Sequence, residues 1–147
     1  MHRHIFQKSI AAIAAGAIAA TSFAVLPSFS ASAATTILSS DFSNGTSGWS
    51  TYKASGGSCS MGVENGKLAL TVNSVGTLNY SVQVGYDVVP LYQNGVYRLK
   101  YDISSTEDCT VEQMIQQNGG TYQSYTWKGL DLTAETQTVD YTFTMKQ

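Results

Sequence analysis

Beyond residue 33 the sequence offers many flat aromatic rings and few of the groups that perform catalysis. All nine tyrosines lie there, with Trp49 and Trp127, whereas both histidines, His2 and His4, lie before it. Tyr and Trp rings pair an apolar face with a polar tip, which suits stacking on sugar or base faces. Histidine is the commonest general base and a frequent metal ligand. Its absence removes nucleophile–base arrangements of the Ser/His and Cys/His kind. The one catalytic arrangement left is a carboxylate pair, Glu112 with Asp87, of the sort that cleaves glycosidic bonds. The same two side chains read more simply as acceptors for sugar hydroxyls. Such a composition points to a binder before a catalyst.

The segments that must hold these residues follow an N-terminal stretch of a different kind. Arg3 and Lys8 precede an apolar run from Ile10 to Leu26, ended by Pro27. Ala31-Ser32-Ala33 then gives the small-x-small pattern of a signal-peptidase site. Residues 1–33 therefore read as an export signal, residues 34–40 as a lead-in and residues 41–147 as one domain. No other stretch is long and apolar enough for a membrane helix. After Ala33, six basic residues (Lys53, Lys67, Arg98, Lys100, Lys128, Lys146) face ten acidic ones, a net charge of −4. No basic patch is available to neutralise phosphates, which argues against nucleic acid and anionic membrane as partners. A surface rich in Ser, Thr, Asn, Gln and Gly suits a neutral polyhydroxylated ligand.

Period-2 alternation dominates the domain, and no segment after Ala33 reads as a helix. Strands are expected at 59–63, 66–72, 78–84, 96–103, 109–117, 121–127 and 138–145. Turns are expected at Asn65-Gly66, Gln93-Asn94-Gly95 and Asn118-Gly119-Gly120. Cys109, Val111 and Ile115 share one face of their strand, with Gln113 the polar exception; Glu112, Met114 and Gln116 share the other. Tyr97, Leu99 and Tyr101 oppose Arg98, Lys100 and Asp102 in the same way. Short strands spaced by turns predict an antiparallel β-sandwich. Cys59 and Cys109 both fall on apolar faces, so an inter-sheet disulfide and two buried thiols are the alternatives. A bridge would contribute about 3–4 kcal/mol on the chain-entropy model.

The segment DFSNGTSGW (41–49) resembles the opening of carbohydrate-binding modules of families 4 and 9, related to family 22. NYSVQV (79–84), GVYRLKYDIS (95–104), TVEQMIQQNGGTY (110–122) and QTVDYTFTM (137–145) follow that family's order and spacing. The resemblance implies a jelly-roll β-sandwich that binds a soluble β-glucan or xylan chain in a groove, without catalysis. It places Tyr52 and Tyr122 as groove rings and Gln83, Asp87, Glu112 and Asn118 as hydrogen-bonding groups. Glu112 stands where relatives can carry a basic side chain. The resemblance also implies a possible structural calcium, with Asp41 and Gly66 at the matching positions, although Ser43 replaces the family's common Glu. No cofactor is required. The family pattern continues past TFTMKQ with another groove strand and a closing strand. A chain lacking them is expected to leave one sheet edge unpaired, with reduced stability.

Trp49, like its family counterpart, is expected in the core. Tyr97, Tyr101 and Tyr141 alternate with aliphatic residues and are also assigned to the core. Trp127 fits a binding face and a sandwich edge equally well. Three functions are thus in play. The first is a secreted binding module that targets an associated glycoside hydrolase to plant polysaccharide. The second is a secreted glycoside hydrolase using Glu112 and Asp87. The third is a cell-surface adhesion domain with no glycan site. Release of reducing sugar, abolished in Glu112→Gln, would mark the second, and glycan retardation on native gels separates the first from the third.

Overall fold

Alternating side chains make the strands of this protein, and residues with positive φ shape several of the turns between them. A computed structural model describes residues 10–14, 34–86 and 88–146. The strands are β1 (Ile10–Ala14), β2 (Trp49–Lys53), β3 (Gly57–Glu64), β4 (Lys67–Val75), β5 (Val82–Tyr86), β6 (Val96–Ser105), β7 (Cys109–Gln116), β8 (Ser124–Leu132) and β9 (Gln137–Thr144). No helix occurs among the described residues. A five-stranded antiparallel sheet has the order β3-β4-β1-β6-β9, and two ribbons, β2-β5 and β7-β8, account for the other strands among the described residues.

The β3–β4 hairpin turns at Asn65 and Gly66, whose φ values of 52° and 72° are those of a tight primed turn. Glu64 and Lys67 face each other across it. Asn94 likewise has φ 63° in the turn leading into β6. Along β7 half-buried and exposed residues alternate without a break, as the sequence pattern requires.

The main core lies between the five-stranded sheet and the β7–β8 ribbon. Tyr101 and Ile103 of β6, Val139 of β9, and Leu130 and Leu132 of β8 form one buried cluster, flanked by Leu99, Cys109, Val111 and Tyr141. Leu68 and Leu70 of β4 are buried farther along the sheet. The β2–β5 ribbon lies against the β3–β4 end. There Phe42, Trp49 and Tyr86 stack in sequence, with ring centroids 5.8 and 5.7 Å apart. Gly48 permits this packing: at φ 78°, a Cβ there would come within 2.5 Å of the Tyr86 ring. The Trp49 indole N–H donates to Ser40 Oγ at 3.1 Å, so the lead-in ends in contact with the domain.

Polar groups facing inward are mostly paired. The Tyr141 hydroxyl donates to Gln113 Oε1 at 2.7 Å, which accounts for the one polar residue on the inward face of β7. On the outer face of β6, Arg98 makes a two-pronged ion pair with Asp140 at 2.7 and 2.6 Å. Hydrogen bonding from Arg98 holds the Asp140 carboxyl below its ordinary range. The Tyr101 hydroxyl is the exception: it is buried and has no partner among the described residues. Burial, with Tyr141 adding to it, pushes this phenol well above its usual range. A buried unpaired hydroxyl costs roughly 1–3 kcal/mol. Tyr101→Phe is therefore expected to match or exceed the wild-type denaturation midpoint. A loss above about 1 kcal/mol on chemical denaturation would show that the hydroxyl has a partner.

Two expectations change, on strand bounds and on the disulfide, and the segment read as an export signal contributes a strand. Residues 10–14, inside the segment read as an export signal, form β1 in the middle of the sheet, paired with β4 and with β6. The rest of residues 1–33, including the cleavage pattern at 31–33, lies outside the described residues. The strand placed at 121–127 begins instead at Ser124 and runs to Leu132, and the one placed at 78–84 begins at Val82. The disulfide between Cys59 and Cys109 is absent, and both thiols are free. Sheet order explains this. Cys59 lies on β3, at one edge, whereas Cys109 packs against the β6–β8–β9 cluster. Three strand spacings separate β3 from β6, about 14 Å, whereas bridged Cα atoms lie within about 7 Å. Cys109 instead donates its S–H to Ser105 Oγ at 3.4 Å.

Candidate functional site

Two outward faces carry the exposed rings and amides. On the β2–β5 ribbon, Tyr52 and Gln83 are direct cross-strand partners. The neighbours that alternate with them, Thr51, Val82 and Val84, are half-buried, so Tyr52 and Gln83 point away from the core. Tyr52 is 54% exposed. The Gln83 side-chain amide donates to the Tyr80 carbonyl at 3.0 Å, which ties the side chain to its own strand's approach.

On the β7–β8 ribbon, Glu112 and Met114 project outward, opposite Gly129 and Trp127 of β8. Beyond β7 the chain makes a loop from Gln117 to Gln123, closed by the Gln117 N–H donating to the Gln123 carbonyl at 2.9 Å. Asn118 and Tyr122 both sit on this loop and are exposed. Gly119, Gly120 and Tyr122 all adopt positive φ, and the Tyr122 N–H donates to the Gly119 carbonyl at 3.2 Å. A left-handed tyrosine is uncommon and costs of order 1–3 kcal/mol, so the surrounding loop must hold it there.

The structure thus brings Tyr52 together with Gln83, and Asn118 together with Tyr122, with Glu112 on the strand leading to that loop. The two groups belong to separate ribbons with no backbone pairing between them. Asp87, placed with them by sequence, lies outside the described residues. Tyr97, Tyr101, Tyr141 and Trp49 are at least half-buried, as expected of core rings.

Sequence reasoning left Trp127 open, and the structure resolves its place. It is 58% exposed, on the same face as Met114 and Glu112. A signal for this was present in the sequence. Leu130 and Leu132 must face the core, so by alternation residues 127, 129 and 131 face out. Ending the strand at Trp127 hid that parity.

At the positions matched to the family's calcium, the bonds of Asp41 are local. The Ser43 N–H and hydroxyl donate to Asp41 Oδ1 at 3.0 and 2.8 Å, and they hold that carboxyl below its ordinary range. Gly66 serves the β3–β4 turn. No group of three His, Cys, Asp or Glu side chains is placed to hold a metal among the described residues. Calcium takes six to eight oxygens.

The comparisons with known proteins agree with this architecture. A solved structure described as "CBM4 structure and function" superposes with a TM-score of 0.70 at 22% identity, covering 76% of this chain and 80% of that one. The chain is 31% identical over 127 residues to "Endoglucanase C" of Cellulomonas fimi, covering 86% of this chain and 11% of that protein. It is 34% identical over 108 residues to "Cellulose 1,4-beta-cellobiosidase" of Acetivibrio thermocellus, covering 66% of this chain and 12% of that protein. It thus spans little more than a tenth of the length of either relative. A family model for "Carbohydrate binding domain" of the 4 and 9 type matches residues 34–147, and the chain belongs to that family.

Proposed function

We propose that this protein is a secreted, non-catalytic module that binds single chains of a neutral β-linked plant polysaccharide and holds an associated glycoside hydrolase near its substrate. The observation that carries this reading is the exposed Tyr52 ring in register with Gln83, in a chain of a carbohydrate-binding family. An aromatic face gathers the apolar C–H side of a pyranose, and the amide beside it meets the hydroxyls at its rim. Glu112, Asn118 and Tyr122 extend the same chemistry on the second ribbon, and Asp87 is assigned to the set by family resemblance. The cellulase names of the relatives favour a β-1,4-glucan, with mixed-linked glucan and xylan as the other candidates. Export rests on the basic start, apolar run and Ala31-Ser32-Ala33 pattern. Calcium at Asp41 and Gly66 rests on the resemblance alone, and glycan binding as proposed does not need it.

Native gels containing soluble glucans and xylans provide the test. Wild-type protein is expected to be retarded by at least one of them. Tyr52→Ala and Tyr122→Ala are each expected to weaken retardation by about three- to tenfold in apparent affinity, the size of one lost ring contact. Retardation unchanged in the double variant would remove these two rings from the site.

A further inference from the structure

We infer that β1 is a latch on export: while Ile10–Ala14 lies in the sheet, the signal that contains it is withheld from the membrane; this rests on the export part of the reading above. The same five residues have two uses. In the sequence they open the apolar run Ile10–Leu26 that follows Arg3 and Lys8. In the fold they lie between β4 and β6, antiparallel to both. Ala11 stands level with Leu70 and Ser105, Ala12 with Ala69 and Ser104, and Ile13 with Leu68 and Ile103. Leu68, Ala69, Leu70, Ile103 and Ser105 are all buried. The segment therefore sits in the middle of a sheet, held along both of its sides.

The two uses exclude each other. An export signal is read as a unit, a basic start followed directly by its apolar run. With Ile10–Ala14 in the sheet, a strand paired on both sides separates Arg3 and Lys8 from the rest of the run, Ala15–Leu26. Both flanks of that remainder are then tied to one body. Ala14 belongs to β1, and Ser40 accepts from the Trp49 indole. A signal in a membrane needs its two ends on opposite sides of a hydrocarbon core about 30 Å thick. The seven residues after Ala33 reach about 25 Å at full extension, which does not cross it. The backbone conflicts as well. In lipid a segment must satisfy its N–H and C=O groups internally, whereas β1 pairs with β4 and β6. Withdrawal of β1 leaves two bare strand edges beside buried residues, so the folded domain favours the inserted state. A chain not yet folded presents a complete signal, and a folded one does not.

The test follows cleavage after Ala33 by signal peptidase in detergent micelles, with the full chain added either folded or freshly diluted from urea. The chain from urea is expected to be cut at least about tenfold faster, because β1 must open before the folded chain can be cut. Leu68→Ala, level with Ile13 in the register, should speed cutting of the folded chain. Val139→Ala removes buried volume on β9, which pairs with β6 and not with β1, and should stay near the wild-type rate. Amide hydrogen exchange of the folded full chain gives a readout without cleavage: residues 10–14 should be protected as strongly as β4 and β6. Equal cutting of folded and unfolded wild-type chain, or unprotected amides at 10–14, would overturn the latch and leave the export reading standing. An equal rise in both alanine variants would trace the protection to the whole fold, and the latch would fail on that result too. A chain left uncut even from urea would end the export reading, and the latch with it.

Discussion

Leu132→Ala is expected to destabilise the domain by about 2–5 kcal/mol, the range for emptying a leucine site in a core that relaxes only partly. Leu132 is 1% exposed and lies in the buried cluster with Tyr101, Ile103, Leu130 and Val139. It is also what ties the β7–β8 ribbon to the five-stranded sheet, because Leu130 and Leu132 are the ribbon's two buried hydrophobic side chains in that cluster. The loss should therefore loosen the ribbon that carries Glu112, Met114, Trp127 and the Asn118–Tyr122 loop. Urea denaturation followed by circular dichroism measures it. A change below about 1 kcal/mol would mean that the two layers do not pack through Leu132.

The second large effect concerns β1. This strand fills the position between β4 and β6, facing four residues on each side. Without it the sheet divides into β3–β4 and β6–β9, each with a bare edge. At about 1 kcal/mol net per hydrogen bond, several kcal/mol of stability go with it, and unpaired edges invite association with other chains. A chain starting at Ala34, as cleavage after Ala33 would leave it, is expected to denature at lower urea than residues 1–147 and to self-associate on size-exclusion chromatography. Equal midpoints and a monomeric elution would show that the domain does not depend on Ile10–Ala14.

The elements that could be read from sequence are those whose signals are local. The β3–β4 hairpin announces itself through Asn65-Gly66 between alternating runs, and β7 through its unbroken alternation. The segment TYQSYTW misled because its aromatic and β-branched residues look strand-like. In fact Gly119, Gly120 and the left-handed Tyr122 extend the loop to Gln123, and a register shift at Ile115/Gln116 accompanies the entry into β8. β2 is short, and its turn signals are crowded by the Ser and Gly around it. β1 is alanine-rich and sits in a segment with every mark of an export signal. No property of residues 10–14 alone says that a gap in a sheet is available to them.

The candidate site divides along the same line. Tyr52, Gln83, Glu112, Asn118 and Tyr122 were identified through family resemblance, and all five prove to be exposed. For Tyr52, Gln83 and Glu112, parity within the strand agrees with that. Whether Cys59 and Cys109 are bridged stays open in the sequence, because it depends on sheet order. Both cysteines face inward, as alternation requires, yet three strand positions separate β3 from the strand nearest Cys109. Trp127 lay between the two cases: its parity was legible once β8 was extended to Leu132.

Isothermal titration calorimetry of the full chain with cellohexaose and with xylohexaose tests glycan binding itself. Saturable binding of at least one of these neutral chains is expected, with one oligosaccharide per protein and weaker binding in Tyr52→Ala. No binding to either, by protein shown to be folded by circular dichroism, would contradict it.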